Sequence, residues 1–545
     1  MPADKAYNLN VVQNFYDIVI KGGTVIDGTG APGVKSDLGI RGDKITFVGD
    51  DIEPPEDHST VVDATGLMVA PGFIDIHSHS DFLCLISPGS DSKVLDGVTT
   101  EICGNCGSSP FPLSKETLNR KQEGYSKYGL RIDWRDAEGF FNRVESLPGS
   151  INRGFLAGHS SIRDFVVGYD DRPPTEKELS RMRGELARAM ETGALGLSSG
   201  LIYAPGCFAD GEEISELCRE VSRLGGVYTT HMRSEGEGLL EAIKESIDVS
   251  RSAGVSLQIS HIKTAGRGNW SKVDQVKGLL DRAVAEGLDV SCDRYPYTAA
   301  ATDLSVILPN WVQEGGAEAQ MERLTDPRTR KKIFGEILNR NNDEWYGETM
   351  VISDIHSGPP EEKTRVVGKS LAEIGKERGK PPLEVALELL VEQRGRVWIV
   401  AFSMCEENLE EILGWDFVGI GSDSSLRTRE GLLGQGRPHP RTYGTFSRVL
   451  GRYSRDRGVL SLEEAVHKMT GFSARKMHLD RRGEVRAGFF ADITIFDAER
   501  IIDMATYEDP HQYSRGVKYV IVNGHVTVNG GNHTGATAGR VLRRR

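Results

Sequence analysis

The amino-acid sequence predicts an α/β protein whose middle forms a parallel sheet or βα barrel and whose two ends share a small β domain. Between about residues 71 and 484, apolar strand segments alternate with amphipathic helical segments, which is typical of a parallel α/β fold. Both ends of the chain instead carry short strands broken by turn residues. At 545 residues the chain is long enough for more than one domain.

The strand patterns at the two ends resemble each other. In residues 17–70, apolar and β-branched residues precede Gly-rich turns, and the far C-terminus repeats this pattern around an Asn-Gly turn at Asn523. We therefore predict one β domain composed of residues 1–70 and 485–545. The predicted strands are 17–21, 24–27, 44–48, 60–63, 491–496, 517–522 and 523–528.

The middle of the chain, residues 71–484, contains about as many strands as eight βα units require, with one to spare. The segment 300–365 breaks the alternation, and we interpret it as an insertion that could cover a site. The strand candidates are 69–77, 98–103, 153–158, 194–198, 226–231, 256–261, 288–293, 397–402 and 417–422. The helix candidates include 176–191, 212–224, 238–252, 271–286, 384–393, 405–413 and 462–470.

Two histidines separated by one residue follow the first of these strands. In extended backbone, side chains two residues apart point to the same face, so His77 and His79 can contact one cation. Histidine is the most common metal ligand, and an alternating pair at a strand end suits zinc. A solvated loop that happens to hold two histidines is the alternative for this motif alone.

Other predicted strands also end in residues of the ligand type. They are followed by Cys106, His231, His261 and Asp423, and catalytic groups of a parallel barrel gather at such ends. Taken singly, each histidine could be a hydrogen-bonded core residue, Cys106 a buried apolar residue and Asp423 a helix cap. Cys103 and Cys106 could also form a redox pair, but this leaves the histidines unexplained. The coincidence of all these residues at strand ends favours a metal site.

The composition excludes several classes of function. A net charge of −13 argues against nucleic acid or an anionic membrane surface as the main partner. No run of eighteen apolar residues predicts a membrane span, and the polar residues 1–14 do not resemble a signal peptide. Seven cysteines, an odd number, fit reduced thiols better than a disulfide framework. We therefore predict a cytoplasmic protein with a small-molecule substrate, while its oligomeric state stays open.

Taken together, these motifs resemble the amidohydrolase superfamily of metal-dependent hydrolases. The superfamily features are the His-Ser-His segment after Pro-Gly-Phe-Ile-Asp, the later His231 and His261, and Gly-Ser-Asp423. Within this superfamily the chain resembles the D-aminoacylase (N-acyl-D-amino-acid deacylase) branch from about residue 17 to 542. The motifs that carry this resemblance are Gly104-Asn105-Cys106-Gly107, Thr230-His231-Met232-Arg233-Ser234-Glu235, Tyr295-Pro296-Tyr297 and His439-Pro440-Arg441.

The resemblance implies a (β/α)8 TIM-like barrel flanked by a β-sandwich, with zinc as the cofactor. Cys106 would replace the carboxylated lysine that bridges the metals in other branches. Together with His231 and His261 it would hold one tightly bound zinc. His77, His79 and Asp423 would face a second metal position that is weaker or empty. Cys103 lies outside the Gly-Asn-Cys-Gly motif, and we interpret it as a packing residue.

Amide hydrolysis needs an activated water and a group that moves a proton to the leaving amine. Asp423, a carboxylate at a strand end that faces the metal, is our candidate for this group. The resemblance also implies that Lys263 and Arg441 bind the substrate α-carboxylate, and that Tyr295 or Tyr297 adds a hydroxyl donor. His159 could line the pocket or be structural, and we assign no role to His356.

The leading prediction is a zinc hydrolase that releases a D-amino acid and a carboxylate from an N-acyl-D-amino acid. The alternative on the same barrel is a cyclic-amide hydrolase of the dihydroorotase or hydantoinase type, against which Cys106 argues. A catalytically inactive relative is a further alternative, which the complete ligand set disfavours. Arg427 and Arg429 could select an acidic side chain, but we interpret them as loop charges. The side-chain and acyl preferences and the number of metals stay open.

Overall fold

A computed structural model describes residues 15–53, 60–341, 343–355 and 360–544 of the chain. Eight parallel strands in its centre form the predicted barrel, and each lies at one of the predicted positions. The third strand is interrupted at Leu156, so that its first part pairs with the second strand and its last part with the fourth. The barrel strands are Phe73–Asp75, Val98–Cys103, Asn152–Phe155 with Ala157–Gly158, Gly196–Gly200, Val227–His231, Ser256–Ile259, Val290–Arg294 and Val418–Ile420.

The barrel closes where its first and last strands meet. Just beyond these strands, Ser78 and Ser424 form an isolated parallel bridge. The backbone N–H of Asp423 donates to the carbonyl of His77 (2.8 Å), and the N–H of His79 donates to the carbonyl of Ser424 (3.1 Å). This closure brings the chain after the first strand beside the chain after the eighth.

Helices follow the barrel strands, and several of them begin with a side-chain cap. The helix Glu176–Thr192, for example, starts with a capping box in which Thr175 and Glu178 satisfy each other's backbone N–H groups. Outside residues 299–402, the α-helices are Asp91–Val94, Lys115–Ser126, Ala137–Glu145, His159–Val166, Glu176–Thr192, Gly211–Arg223, Leu239–Ala253, Val273–Ala285, Glu406–Leu413, Arg441–Arg448, Leu462–Met469 and Gly471–Lys476. No helix in the described ranges is long and apolar enough to cross a membrane.

One nine-stranded sheet contains strands from both ends of the chain. Met68–Pro71 joins the two ends, because it pairs in parallel with Ile18–Val25 and antiparallel with Ile493–Phe496. The sheet is mixed rather than purely antiparallel, and the sequence patterns did not predict its strand Val34–Arg41. Its strands are Ile18–Val25, Val34–Arg41, Lys44–Gly49, Thr60–Asp63, Met68–Pro71, Ile493–Phe496, Val517–Val522, His525–Asn529 and Asn532–His533.

The strand predicted at 397–402 forms, but it does not belong to the barrel. Val397–Phe402 pairs antiparallel with Ala299–Asp303 and with Met350–Ile355 in a separate three-stranded sheet. Its apolar residues face a core of the neighbouring helices, so an apolar run alone could not distinguish it from a barrel strand. The helices between residues 299 and 402 are Asn310–Gln313, Gly316–Thr325, Pro327–Leu338, Asp343–Thr349, Pro360–Val366, Leu371–Arg378 and Pro382–Glu392.

Phe73, in the first barrel strand, packs where the barrel meets the nine-stranded sheet. Its side chain is fully buried, and its ring lies 5.8 Å from the ring of Phe446 and 6.1 Å from that of Phe496. These three rings belong to one apolar cluster that includes residues of both units. The first strand, which leads directly to His77, is therefore fixed by packing on this side.

We expect Phe73→Ala to lower the free energy of unfolding by about 3–5 kcal/mol, because it removes a ring from a packed core and leaves a cavity. Urea denaturation followed by circular dichroism measures this loss. Phe15→Ala, at a phenylalanine that is 43% exposed, is the matched control and should change stability by less than about 0.5 kcal/mol. Equal effects of the two substitutions would contradict the packing role of Phe73.

Candidate metal centre

The six residues predicted as metal ligands lie beyond the carboxyl ends of the barrel strands. His77 and His79 follow the first strand, Cys106 follows the second, and His231 is the last residue of the fifth. His261 follows the sixth strand and Asp423 follows the eighth. In a parallel barrel these ends form one rim, which is where catalytic groups gather.

One cluster on this rim combines a thiol, two imidazoles and a carboxylate. Cys106, His77, His261 and Asp423 each offer a ligand atom, and these atoms all lie within 4.8 Å of one another. The Cys106 sulfur lies 3.3 Å from Nε2 of His77 and 3.6 Å from Nε2 of His261. The same His77 nitrogen lies 3.5 Å from Oδ1 of Asp423.

A second cluster shares His261 with the first. It consists of His231, Glu235 and His261, whose ligand atoms also lie within 4.8 Å of one another. The rings of His231 and His261 have centroids 4.4 Å apart. Oε1 of Glu235 lies 2.9 Å from Nδ1 of His261. His261 therefore stands between the predicted ligands Cys106 and His231, although the three do not form one compact group.

His79 and Asp293 extend the first cluster on two sides. Nε2 of His79 lies 3.1 Å from Oδ1 of Asp423, so this histidine approaches the cluster through the carboxylate. Asp293 lies behind His77, with its Oδ1 3.1 Å from Nδ1 of that ring, and it also accepts a hydrogen bond from the backbone N–H of His261. A carboxylate that orients a ligating imidazole in this way is common around metal sites.

The acidic groups of the site are strongly favoured in their charged forms. Burial alone would raise the pKa of Asp423, but the Arg441 guanidinium and the nearby imidazoles hold this pKa well below its usual range. Burial would also raise the pKa of the Cys106 thiol, but the charge of His77 and the hydrogen bonds with the rings of His261 and His77 hold this pKa well below its usual range. Both groups are thus disposed to act as anionic metal ligands.

The imidazoles compensate these negative charges. Burial would lower the pKa of His79, but its hydrogen bond to Asp423 raises the pKa to about 9. For His261, burial and the charge of Lys263 are outweighed by Asp423 and Glu235, so its pKa also rises to about 9. Because imidazole binds a metal only in its neutral form, a cation entering this site displaces protons from these rings.

The residues present fit a zinc ion. Zinc is bound by cysteine sulfur, imidazole nitrogen and carboxylate oxygen, which is the set of donors that converges here. His231 also supports a metal ion at this site, because both of its ring nitrogens are buried and neither has a hydrogen-bond partner among the described residues. Buried polar atoms are nearly always paired, so these nitrogens are suited to coordinate an ion.

Three of the candidate ligands have backbone conformations that L-residues rarely adopt. The φ angles of Cys106, His261 and Asp423 are 51°, 38° and 48°. The left-handed region is unfavourable for residues with a Cβ atom, and such conformations persist where the surrounding structure enforces them. Each of these residues lies in the turn that follows a barrel strand, and the turn directs its side chain into the cluster.

A buried lysine holds the turn that carries Asp423. The Lys93 ammonium donates to Oδ2 of Asp75 and to the hydroxyl of Ser422, both at 2.8 Å, and to the carbonyl of Ser424 at 3.0 Å. The second oxygen of Asp75 accepts the backbone N–H of Ser422 at 2.8 Å. Asp423 therefore lies between Ser422 and Ser424, and both of these serines are held by hydrogen bonds to Lys93 or Asp75.

Three of the predicted substrate-binding residues line the same cavity as the cluster. Lys263, Tyr295 and Arg441 lie on the wall of this cavity, whose volume is about 2420 Å³. The Lys263 ammonium forms an ion pair with Glu235 and lies 2.8 Å from Nδ1 of His261. Arg441 lies 2.8 Å from Oδ2 of Asp423. Both cations are thus in direct contact with the candidate ligands.

Two further predicted residues lie away from this cavity wall. The hydroxyl of Tyr297 donates to Asp503 at 3.3 Å, whereas the neighbouring Tyr295 faces the cavity. His159 is fully buried, with Nε2 2.7 Å from Glu213, and is not among the cavity-lining residues. These positions favour structural roles for Tyr297 and His159. His356 lies outside the described residues.

The sequence argument missed three residues that support the cluster. Asp293 ends a predicted strand, so the rule that selected the histidines could have identified it. Glu235 lies four residues after His231 in the Thr230-His231-Met232-Arg233-Ser234-Glu235 motif, but the motif alone does not predict a role for it. Lys93 had no sequence signal, because its contact with Ser422 forms only through the closure of the barrel.

We expect Lys93→Met to lower the stability of the fold by about 3–5 kcal/mol, since it leaves Asp75 buried without its counter-ion. Thermal and urea unfolding measure this effect, with the exposed Lys115→Met as control. Adding Asp75→Asn to Lys93→Met should recover part of the loss, because the uncompensated charge is then removed. A single variant as stable as the wild type would contradict this role of Lys93.

Comparisons with known proteins show the family of this chain. Residues 60–528 match the model of the amidohydrolase family. The chain is 36% identical to a D-aminoacylase of Alcaligenes xylosoxydans xylosoxydans over 97% of its own length and 98% of that protein. A D-aminoacylase structure described for its binuclear metal centre superposes with a TM-score of 0.80 at 35% identity, covering 97% of this chain and 100% of that one.

A second solved structure superposes on this chain with the same TM-score. It is an N-acyl-D-glutamate deacylase of Bordetella bronchiseptica, complexed with zinc and a phosphonate inhibitor, with a TM-score of 0.80 and 30% identity over 97% of this chain and 100% of that one. Both the fold and the predicted resemblance are thereby confirmed. The chain belongs to the amidohydrolase family and is an enzyme of its D-aminoacylase branch.

Proposed function

We propose that this enzyme hydrolyses the amide bond of N-acyl-D-amino acids and releases a D-amino acid and a carboxylate. The observation that carries the proposal is the cluster of Cys106, His77, His261 and Asp423. All of its members except His77 line a cavity that also presents Lys263 and Arg441. Metal ligands and carboxylate-binding cations thus face one space. The relatives, a D-aminoacylase and an N-acyl-D-glutamate deacylase, support the D-configuration of the substrate.

In this proposal Cys106, His231 and His261 hold one tightly bound zinc. His77, His79 and Asp423 face a second position of lower affinity. When bound, zinc lowers the pKa of a coordinated water to about 7 and polarises the carbonyl of the scissile amide. Asp293 and Glu235 orient His77 and His261 through their Nδ1 atoms, which leaves the Nε2 atoms of both rings directed at Cys106.

Asp423 is the proposed proton carrier. Its low pKa keeps it ionised, so it can accept the proton of the attacking water. It then delivers this proton to the amide nitrogen as the C–N bond breaks, and the amine leaves in a neutral form. Its hydrogen bond with His79 and its ion pair with Arg441 fix the carboxylate during both transfers.

Lys263, Arg441 and Tyr295 bind the substrate α-carboxylate in this proposal. A guanidinium and an ammonium on one wall offer charged donors, and the Tyr295 hydroxyl has no partner among the described residues. The insertion 300–365 acts as a lid, which is supported by the 2.9 Å hydrogen bond between the hydroxyls of Tyr203 and Thr302 and by the position of Thr302 on the cavity wall. A cytoplasmic location stays a prediction.

The substrate class is tested with purified, metal-analysed enzyme and paired N-acetyl-D- and N-acetyl-L-amino acids carrying leucine, methionine or glutamate. We expect release of the D-amino acid from at least one pair, with the L-substrate at least 100-fold slower. Hydantoin and dihydroorotate test the alternative activity. Hydrolysis of the cyclic amides alone would overturn the proposal, and a preference for L-substrates would overturn its stereochemistry.

We expect Asp423→Asn to lower kcat by about 10²- to 10⁴-fold while the protein keeps its tightly bound zinc, because the amide cannot accept the proton of the water. Steady-state kinetics on the best substrate, together with metal analysis, provide the measurement. Asp416→Asn, at an exposed carboxylate seven residues earlier, is the matched control. An Asp423→Asn enzyme with zinc and full activity would exclude the proton-transfer role.

A further inference from the structure

Three cations surround Tyr295, a buried tyrosine that lines the cavity. The guanidinium carbon of Arg294 lies 4.3 Å from the centroid of its ring, and that of Arg441 lies at 4.5 Å. The Lys263 ammonium is more distant, at 5.8 Å. Guanidinium groups at such distances interact favourably with an aromatic ring and fix its orientation. Tyr295 is fully buried, so its ring has little freedom to move between these groups.

Two of the three cations are already neutralised by carboxylates. Lys263 forms an ion pair with Glu235, and Arg441 lies 2.8 Å from Asp423. These four charges sum to zero. A substrate carboxylate that approaches them gains hydrogen-bond donors but little net electrostatic attraction.

Arg294 is the cation that lacks such a partner. Its side chain is 1% exposed, and its Nη2 donates to the carbonyl of Tyr297 (2.9 Å) and to the sulfur of Met404 (3.0 Å). Its Nε and Nη1 have no hydrogen-bond partner within the described ranges, and no described carboxylate lies within 4 Å of the guanidinium. One positive charge therefore remains uncompensated beside the ring of Tyr295.

Such an arrangement opposes folding. A buried charge without a counter-ion costs several kcal/mol, and an apolar residue of similar volume would avoid this cost. A charge in this position does have one effect that an apolar side chain cannot have. It makes the potential around Tyr295 positive, in a region where little water is present to screen it.

We propose that Arg294 is a positioning and specificity-determining residue, which selects substrates with a free α-carboxylate by supplying the uncompensated positive charge behind Tyr295. It does not contact the substrate, because the ring lies between them. It acts through Tyr295, whose ring it holds in place in the cavity wall, and through its field at the carboxylate. The inference rests on the proposed function, since it concerns the carboxylate of that substrate.

The test compares two substrates that differ only in this charge. They are the N-acetyl-D-amino acid that the wild-type enzyme hydrolyses best and the corresponding N-acetyl-D-amino acid amide, in which a neutral carboxamide replaces the carboxylate. We expect Arg294→Met to raise KM for the acid about tenfold, with kcat within twofold of wild type. For the neutral amide, kcat/KM should stay within twofold of wild type.

Two further variants separate charge from structure. Arg294→Lys keeps the positive charge and should restore most of the affinity for the acid. Arg120→Met removes an arginine on another part of the cavity wall, which pairs with Asp164, and should leave the preference for the acid unchanged. Thermal unfolding of each variant verifies that the fold is retained. If Arg294→Met does not fold, Arg294→Gln replaces it, since glutamine keeps a hydrogen-bond donor without the charge.

The outcomes are distinct. A loss of activity by Arg294→Met that is equal for the acid and the amide would indicate a merely structural residue and would overturn the inference. An unchanged KM for the acid would overturn it as well, and so would a lysine variant that behaves like the methionine variant. Absence of wild-type turnover on every N-acetyl-D-amino acid would overturn the proposed function, and this inference with it.

Discussion

The ion pair between Lys93 and Asp75 lies where the first and last strands of the barrel meet, and the metal cluster depends on this junction. Few backbone hydrogen bonds connect the two strands there, so the buried side chains of Lys93, Asp75 and Ser422 make much of the connection. One side of the junction carries His77 and His79, and the other carries Asp423. A rim assembled from separate strands becomes one site only if this closure is exact to a fraction of an ångström.

The charges of the site are arranged in pairs, most of which join residues that follow different barrel strands. Asp293 faces His77, Glu235 faces His261 and Lys263, and Asp423 faces His79 and Arg441. This arrangement lets several ionised groups share a buried space, since each carboxylate has a cation beside it. The proposed chemistry requires a cation and an anion to bind close together, and these paired charges are compatible with it.

Much of the fold could be predicted from local sequence patterns. All eight barrel strands lie at predicted positions, because apolar runs between turn residues carry their own signal. The strand Val397–Phe402 carries the same signal, and only its antiparallel partners place it in another sheet. The position of the candidate ligands at strand ends was likewise predictable. The contacts of Ser422 with Lys93 and Asp75, which hold the turn that carries Asp423, were not predictable. Ser422 is more than 300 positions from both residues and meets them only where the barrel closes.

The positive φ angles of Cys106, His261 and Asp423 limit the transfer of the short motifs that contain these residues to other proteins. Each angle costs of order 1 kcal/mol or more, and the barrel as a whole imposes it. A short peptide with the sequence Gly-Asn-Cys-Gly would relax to other conformations and would not direct its thiol as the folded chain does. Any metal binding by these motifs is thus a property of the closed barrel. Grafting them into an unrelated scaffold would transfer the ligand atoms without the backbone that aims them.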